Sequence, residues 1–310
     1  MKLLGLSAGR KMGNGEILLK EALMAAQDSG DLEVEVIRLF DLEINPCTGC
    51  EGCTQSLSKG GNGECVRWKN DDMLWLRERF DQCDALITSS PVFEIRPSGN
   101  YCSMNDRFLG FGPKFLMGVF QRRKRIGAAI ATGGSDWVQL TLPQMMLAHF
   151  MLNIKVVDQY VATWVGRPGH VLLREDHMAR ARKLGTNVAT AMKKPIEEVE
   201  YMGDEPGACP YCHSDLVVMM KKHTVQCPIC GIRGDVSIAG EEFNISWRED
   251  DIKHIRWEPL GMASHFKDIQ QTHGKFEAGK DTVKAKLQKY KDFVPYVRPE
   301  GRAAKAASED

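Results

Sequence analysis

Eight of the ten cysteines fall into two groups whose spacing suits metal chemistry. Cys47, Cys50 and Cys53 follow one another at C-x-x-C-x-x-C spacing, and Cys65 follows after eleven intervening residues. Three thiolates so spaced can face one iron–sulfur cubane while a fourth returns from further along. A [4Fe-4S] cluster and four plain thiols both stand as readings of this group. The second group is Cys209-Pro210-Tyr211-Cys212 and Cys227-Pro228-Ile229-Cys230, separated by fourteen residues. Two such knuckles, joined by a hairpin with Val217, Val218 and Val225 in its strands, offer four thiolates to one tetrahedral ion. At this separation Zn is the expected metal and Fe the alternative. Four sulfurs already fill the sphere, so His213 and His223 are expected at the surface. A structural ion stabilises a module too small to have its own core.

Three further stretches can hold a ligand without metal. Ser7-Ala8-Gly9-Arg10-Lys11-Met12-Gly13-Asn14-Gly15-Glu16 joins an apolar run to an amphipathic one. Its small residues let the backbone fold tightly round an anion, a hydroxyl and an amide side chain can donate, and the following helix points free N–H groups at the same spot. It matches neither G-x-x-x-x-G-K-[ST] nor G-x-G-x-x-G, which argues against ATP and dinucleotide cradles. Gly5 to Gly9 does match G-x-S-x-G, but a nucleophile elbow follows several strands, and this one lies at the very start. Ser89-Ser90-Pro91-Val92-Phe93 offers a Pro-fixed turn and an aromatic face. Ala131-Thr132-Gly133-Gly134-Ser135 offers close backbone approach to a planar ligand. Cys83 and Cys102 read as core or loop thiols, and His149 and His170 have no partner identifiable from sequence.

The elements that must position these loops follow from periodicity. Residues 2–7, 32–39, 84–89, 126–132 and 155–162 read as strands, and residues 16–29, 71–81, 103–120, 138–152 and 176–192 as amphipathic helices. Strict alternation means βαβ crossovers and a parallel sheet covered on both faces. Five units suit a flavodoxin-like, doubly wound α/β fold of strand order 2-1-3-4-5, whose ligand site lies at the carboxyl ends of the strands. The three loops end the first, third and fourth strands, where one ligand meets all three. The expected organisation is a main domain at 1–195, a linker at 196–208, the cysteine module at 209–250, a helical segment at 251–297 with helices at 257–272 and 281–293, and a mobile tail at 298–310. The 41 basic and 41 acidic side chains cancel, which steers the chain toward neither nucleic acid nor an anionic membrane. The N-terminal apolar run is too short for a signal peptide, no run is long enough to span a membrane, and the expected location is the cytoplasm.

These loops carry a resemblance. Ser7, Arg10, Gly13 and Asn14, the Ser-Pro-Val-Phe stretch followed by Asp106-Arg107, the Ala-Thr-Gly-Gly turn and Asp71-Asp72-Met73 are similar to the NADPH-dependent FMN reductase and iron–sulfur flavoprotein branch of the flavodoxin superfamily. Gly15 stands where that family usually has Thr. The resemblance implies FMN, with Ser7, Arg10, Lys11, Gly13, Asn14, Gly15 and Glu16 about its phosphate and Pro91, Val92, Phe93, Thr132, Gly133 and Gly134 against its ring. It implies an NAD(P)H oxidoreductase passing hydride or electrons to a quinone, flavin, nitro compound or activated alkene. It further implies a homodimer or homotetramer, with no catalytic acid–base pair because the flavin carries the chemistry. The run Arg122-Arg123-Lys124-Arg125 reads as a solvated helix end, or else as a grip on the NADPH 2′-phosphate. Two other readings are an iron–sulfur flavoprotein electron carrier fed by ferredoxin, and a binding adaptor. In the latter, the module resembling a zinc ribbon would be the working part and a basic ribbon is expected, yet Lys221, Lys222 and Arg233 mix with Asp215, Asp235 and Glu241.

Overall fold

Lys2–Ser7 (β1), Glu33–Arg38 (β2), Ala85–Phe93 (β3), Arg96–Pro97 (β4), Arg125–Thr132 (β5) and Ile154–Ala162 (β6) form one sheet in a computed structural model that describes residues 1–61, 63–66, 71–109, 124–291, 293–294, 297 and 299. Its path is β2-β1-β3-β5-β6, all parallel, with β4 folded back antiparallel on β3. This is the expected flavodoxin-like order with one short strand inserted. Nearly every residue of β1 and β5 is buried, as strands covered on both faces must be.

The helices are Asn14–Asp28 (α1), Gly52–Ser58 (α2), Met73–Gln82 (α3), Gly99–Asp106 (α4), Thr141–Met151 (α5), Glu175–Met192 (α6) and Pro259–Lys291 (α7). On one face, Leu18, Leu19 and Leu23 of α1 and Leu184 and Val188 of α6 bury against Leu3, Ile87 and Ile130. On the other, Met73, Leu76 and Phe80 of α3, Tyr101 and Met104 of α4, and Met145 of α5 cover Leu4, Leu6, Leu86 and Ala129. The second cover includes the cysteine module. Val218–Met219 (β7), Thr224–Gln226 (β8), Arg233–Ala239 (β9) and Glu242–Trp247 (β10) make an antiparallel sheet of order β10-β9-β8-β7. Phe150 of α5 stacks on Tyr211 and on Trp257, each with ring centroids 5.8 Å apart.

The segment between α6 and the module runs along the free edge of β6. Met202 N–H donates to Val157 O at 2.7 Å, and Gln159 Nε2 donates to His213 O at 2.7 Å, so an otherwise unpaired edge is covered. His213 is consequently half-buried rather than a surface residue. Its ring stacks on Tyr201 at 3.8 Å and its Nδ1–H donates to Pro206 O at 2.8 Å.

Several expectations are corrected. β3 runs beyond Ser89 to Phe93, because Pro91 sits at the sheet's end, where it stays in register with Thr132 before the strand turns back. The helix expected at 103–120 starts at Gly99 and stops at Asp106, and residues 110–123 lie outside the described residues. The two C-terminal helices are one, since no proline interrupts 260–291 and Gly274 and Gly279 each cost only about 1 kcal/mol. Arg125 is not a solvated cap. It is buried at the start of β5 and donates to Cys83 O, Leu152 O and Asp81 O at 3.1–3.2 Å; Arg122 and Arg123 lie outside the described residues. Residues Met1–Met262 form one compact unit and Ala263–Asp310 another. Among the described residues no helix is long and apolar enough to cross a membrane.

Candidate functional site

The carboxyl tips of β1, β3 and β5 meet. Ala8 N–H donates to Ser89 O at 2.8 Å, and Ser98 Oγ–H donates to Ala8 O at 3.0 Å, which ties the first loop to β3 and to the start of α4. Ser7 ends β1 fully buried, and its Oγ has no hydrogen-bond partner among the described residues. Such an orphaned hydroxyl is costly unless a ligand meets it. The chain then turns through Gly13 N–H to Arg10 O at 3.1 Å and enters α1, whose N-terminus has Gly13 as cap and no side-chain cap bond. Free N–H groups there, with the helix dipole behind them, attract an anion.

Gly15 occupies the first turn of α1 where nothing larger fits. A Cβ there would lie 2.6 Å from Ser89 Oγ and 3.5 Å from Thr132 Oγ1. Ser89 Oγ–H donates to Gly15 O at 2.9 Å, so hydroxyls from two strand tips take the space a Thr side chain would need. Gly133 is similarly tight, with Val138 Cγ1 at 2.7 Å and Val92 Cγ2 at 3.6 Å from its ideal Cβ.

The remaining first-loop candidates do different things. Arg10 and Lys11 are exposed, while Glu16 is buried, pairs with Lys20 at 2.7 Å and accepts from Met12 N–H at 3.3 Å. The Asn14 amide points elsewhere: it donates to Val165 O and Arg167 O and accepts from Val171 N–H at 3.2 Å. Its side chain therefore fastens the first loop to a fourth one, residues 163–171 after β6, which sequence reasoning missed although Gly166 and Gly169 signal a turn there. That loop is joined to the third: Gly133 N–H donates to Ala162 O at 2.9 Å and Val165 N–H to Gly133 O at 3.1 Å.

Pro91 and Val92 are half-buried and Phe93 is exposed at the end of β3, followed by a two-residue turn with φ 49° at Glu94 and 70° at Ile95. A β-branched residue rarely adopts that backbone conformation. Ile95 O accepts from Leu140 N–H at 3.2 Å and from Thr141 Oγ1–H at 2.9 Å, so the start of α5 holds the turn in place.

The cysteine groups differ sharply. Cys209, Cys212, Cys227 and Cys230 are fully buried, with their Sγ atoms all within 4.8 Å of one another. Hydrogen bonding among the sulfurs, to Cys209 above all, pulls the Cys227 thiol down and pushes the Cys212 thiol up. The Cys212 and Cys230 N–H groups also donate to Cys209 and Cys227, and four buried sulfurs so gathered suit a metal ion in a closed site. None of the ten cysteines is in a disulfide. In the first group Cys47 and Cys50 are exposed, while Cys53 and Cys65 are half-buried. Burial pushes the Cys53 thiol up, and Cys65 and Cys47 add to this, but among the described residues only the second group brings its sulfurs within 4.8 Å of one another.

Arg107, which sequence reading left without a role, anchors that segment. It is buried, pairs with Asp71, and donates to Asn45 O at 2.9 Å and to Cys65 Sγ at 3.5 Å. Burial would raise the Asp71 carboxyl, but the Arg107 guanidinium and the N–H groups of Met73 and Asn45 hold it below the ordinary range. His149 is buried on α5 with Nδ1 3.1 Å from Met145 O and Nε2 3.2 Å from Ala128 O, which makes it a core residue.

Comparison with known proteins agrees with this geometry. A solved structure described as flavone reductase matches with TM-score 0.78 and 28% identity, covering 97% of this chain and 100% of that one. The flavone synthase cfoJ of Aspergillus candidus is 26% identical over 293 residues, 87% of this chain and 89% of its own length. An iron–sulfur flavoprotein of Methanocaldococcus jannaschii is 32% identical over 203 residues, 62% of this chain and 98% of its own. The family model for NADPH-dependent FMN reductase matches residues 1–165, and with the strand order and the meeting of three strand tips this places the chain in the NADPH-dependent FMN reductase family of flavin oxidoreductases.

Proposed function

We propose that the chain is an FMN-dependent NAD(P)H oxidoreductase delivering reducing equivalents to a small organic acceptor. The observation that carries this is the buried Ser7 hydroxyl at the tip of β1, without a hydrogen-bond partner among the described residues, in a loop that runs into the uncapped N-terminus of α1. Ser7, the backbone N–H groups at Asn14 to Glu16, and the positive charge of Arg10 and Lys11 would hold the phosphate. Pro91, Val92, Phe93, Thr132, Gly133 and Gly134 would flank the ring. Bound FMN would supply reversible two-electron chemistry, for the net reaction NAD(P)H + H⁺ + acceptor giving NAD(P)⁺ and the acceptor reduced by two electrons and two protons. The protein's share is to keep the ring fixed and one face open. Because two relatives are named for flavone chemistry, a flavone-type conjugated carbonyl is the acceptor to test first.

At Cys209, Cys212, Cys227 and Cys230 we propose Zn, because a closed, dry, four-sulfur site packed on Phe150 suits a structural ion; Fe is the alternative that metal analysis distinguishes. A second reading is favoured by the C-x-x-C-x-x-C spacing and by a 32% identical relative named an iron–sulfur flavoprotein: a [4Fe-4S] cluster at Cys47, Cys50, Cys53 and Cys65, which would let ferredoxin feed electrons in. Anaerobic purification with iron and sulfide analysis separates the two. Titration of flavin-free protein with FMN, followed by NADPH consumption with a flavone or quinone present, tests the main proposal. Micromolar FMN affinity in wild type, weakened in Ser7→Ala, supports it, and no FMN binding ends it.

A further inference from the structure

Three large aromatic side chains at the strand tips remain in water. Phe93 is 51% exposed, Trp137 71% and Trp164 58%. Single exposed aromatics are ordinary, but these stand on segments that hydrogen bonds join into one rim beside the cradle. Leu140 N–H donates to Ile95 O at 3.2 Å, which ties the Phe93 turn to the segment carrying Trp137. Val165 N–H donates to Gly133 O at 3.1 Å, which ties that segment to the loop carrying Trp164.

The backbone adds an independent observation. Trp164 has φ 61° and Ile95 φ 70°, the left-handed region that bulky residues rarely adopt. Residues persist there when the surroundings overdetermine them, and such positions cluster at ligand sites. At residue 164 the overdetermination is visible: Thr163 O accepts from the His177 ring at 3.0 Å, Val165 is held by Gly133, and an ideal Cβ on Gly134 would lie 3.5 Å from Gly166 Cα. The fold thus presents the indole outward.

We propose that Phe93, Trp137 and Trp164 form the acceptor-binding wall and select a flat, uncharged acceptor of two or more fused or conjugated rings bearing a carbonyl. This rests on the oxidoreductase reading above. The three side chains carry no titratable group, so they discriminate by aromatic face and shape, not by charge. Neither indole N–H has a partner among the described residues, and each is a donor suited to a carbonyl oxygen.

The test uses flavin-loaded, full-length protein with NADPH, and compares menadione, which takes up two electrons and two protons, with ferricyanide, a small charged acceptor. Trp164→Ala and Trp137→Ala should each lower the menadione-to-ferricyanide ratio of kcat/KM about tenfold, mainly through KM, with flavin content retained. Trp164→Phe should recover most of the ratio. Ratios within about twofold of wild type in flavin-loaded variants would overturn the proposal. So would a change in association state with unchanged ratios, which would make the rim a subunit contact. If wild type itself neither holds flavin nor oxidises NADPH, the failure belongs to the oxidoreductase reading and not to the rim.

Discussion

Replacing Gly15 by Ala tests the packing beneath the cradle. The new methyl would sit 2.6 Å from Ser89 Oγ, and Ser89 is buried, so something must move. If α1 shifts, overpacking costs about 1–3 kcal/mol. If Ser89 rotates instead, it gives up the 2.9 Å bond to Gly15 O, which costs about 1 kcal/mol plus about 1–3 kcal/mol for buried groups left unpaired. Ala's helix preference returns at most about 1 kcal/mol. The net expectation is a loss of about 1–2 kcal/mol in denaturant unfolding of the flavin-free protein and an FMN Kd about tenfold weaker, because the N–H groups move with the helix. Ser89→Ala removes the obstructing oxygen, so in that background Gly15→Ala should cost about 1 kcal/mol less. A fully stable Gly15→Ala protein with wild-type FMN affinity, or a purely additive double variant, would show that Ser89 and Gly15 are not packed this tightly.

Other outcomes follow from the same contacts. Chelating the metal proposed at Cys209, Cys212, Cys227 and Cys230 should lower the main calorimetric transition by about 10 °C, because these sulfurs share one core with Leu4 and Phe150; an unmoved main transition would contradict this. Phe150→Ala, which opens the stack between Tyr211 and Trp257, should cost about 3–5 kcal/mol and shift tryptophan emission to the red. Asp71→Ala leaves the Arg107 guanidinium buried without its carboxylate and should cost about 3–5 kcal/mol at neutral pH. Since folding lowers the Asp71 pKa, its contribution is complete above the ordinary carboxylate value of about 3.9 and is lost as pH falls through the folded value. Asp71→Asn should accordingly show a shallower acid limb of stability than wild type.

The sheet was readable because its strands are nearly continuous apolar runs between amphipathic helices, and periodicity reports that directly. The meeting of the loops at the tips of β1, β3 and β5 was readable for a related reason: small and hydroxyl residues stood where βα turns had to fall. What escaped depends on contacts between distant segments. Nothing local marks Arg125 as buried, since its three carbonyl partners come from α3 and the segments that follow α3 and α5. The Arg107–Asp71 pair spans thirty-six positions, and the Asn14 amide finds its carbonyls more than 150 positions away. Charge runs and loop amides look solvated until the chain closes on them. Trp164 lies in a loop whose glycines were visible, but its positive φ and exposure were not.

The most direct measurement is the flavin content of protein produced with ample riboflavin, followed by its absorbance on adding NADPH without oxygen. One tightly held FMN per chain is expected, bleached by NADPH and restored by a flavone or quinone. Protein that emerges colourless and takes up no FMN at micromolar concentration would contradict it.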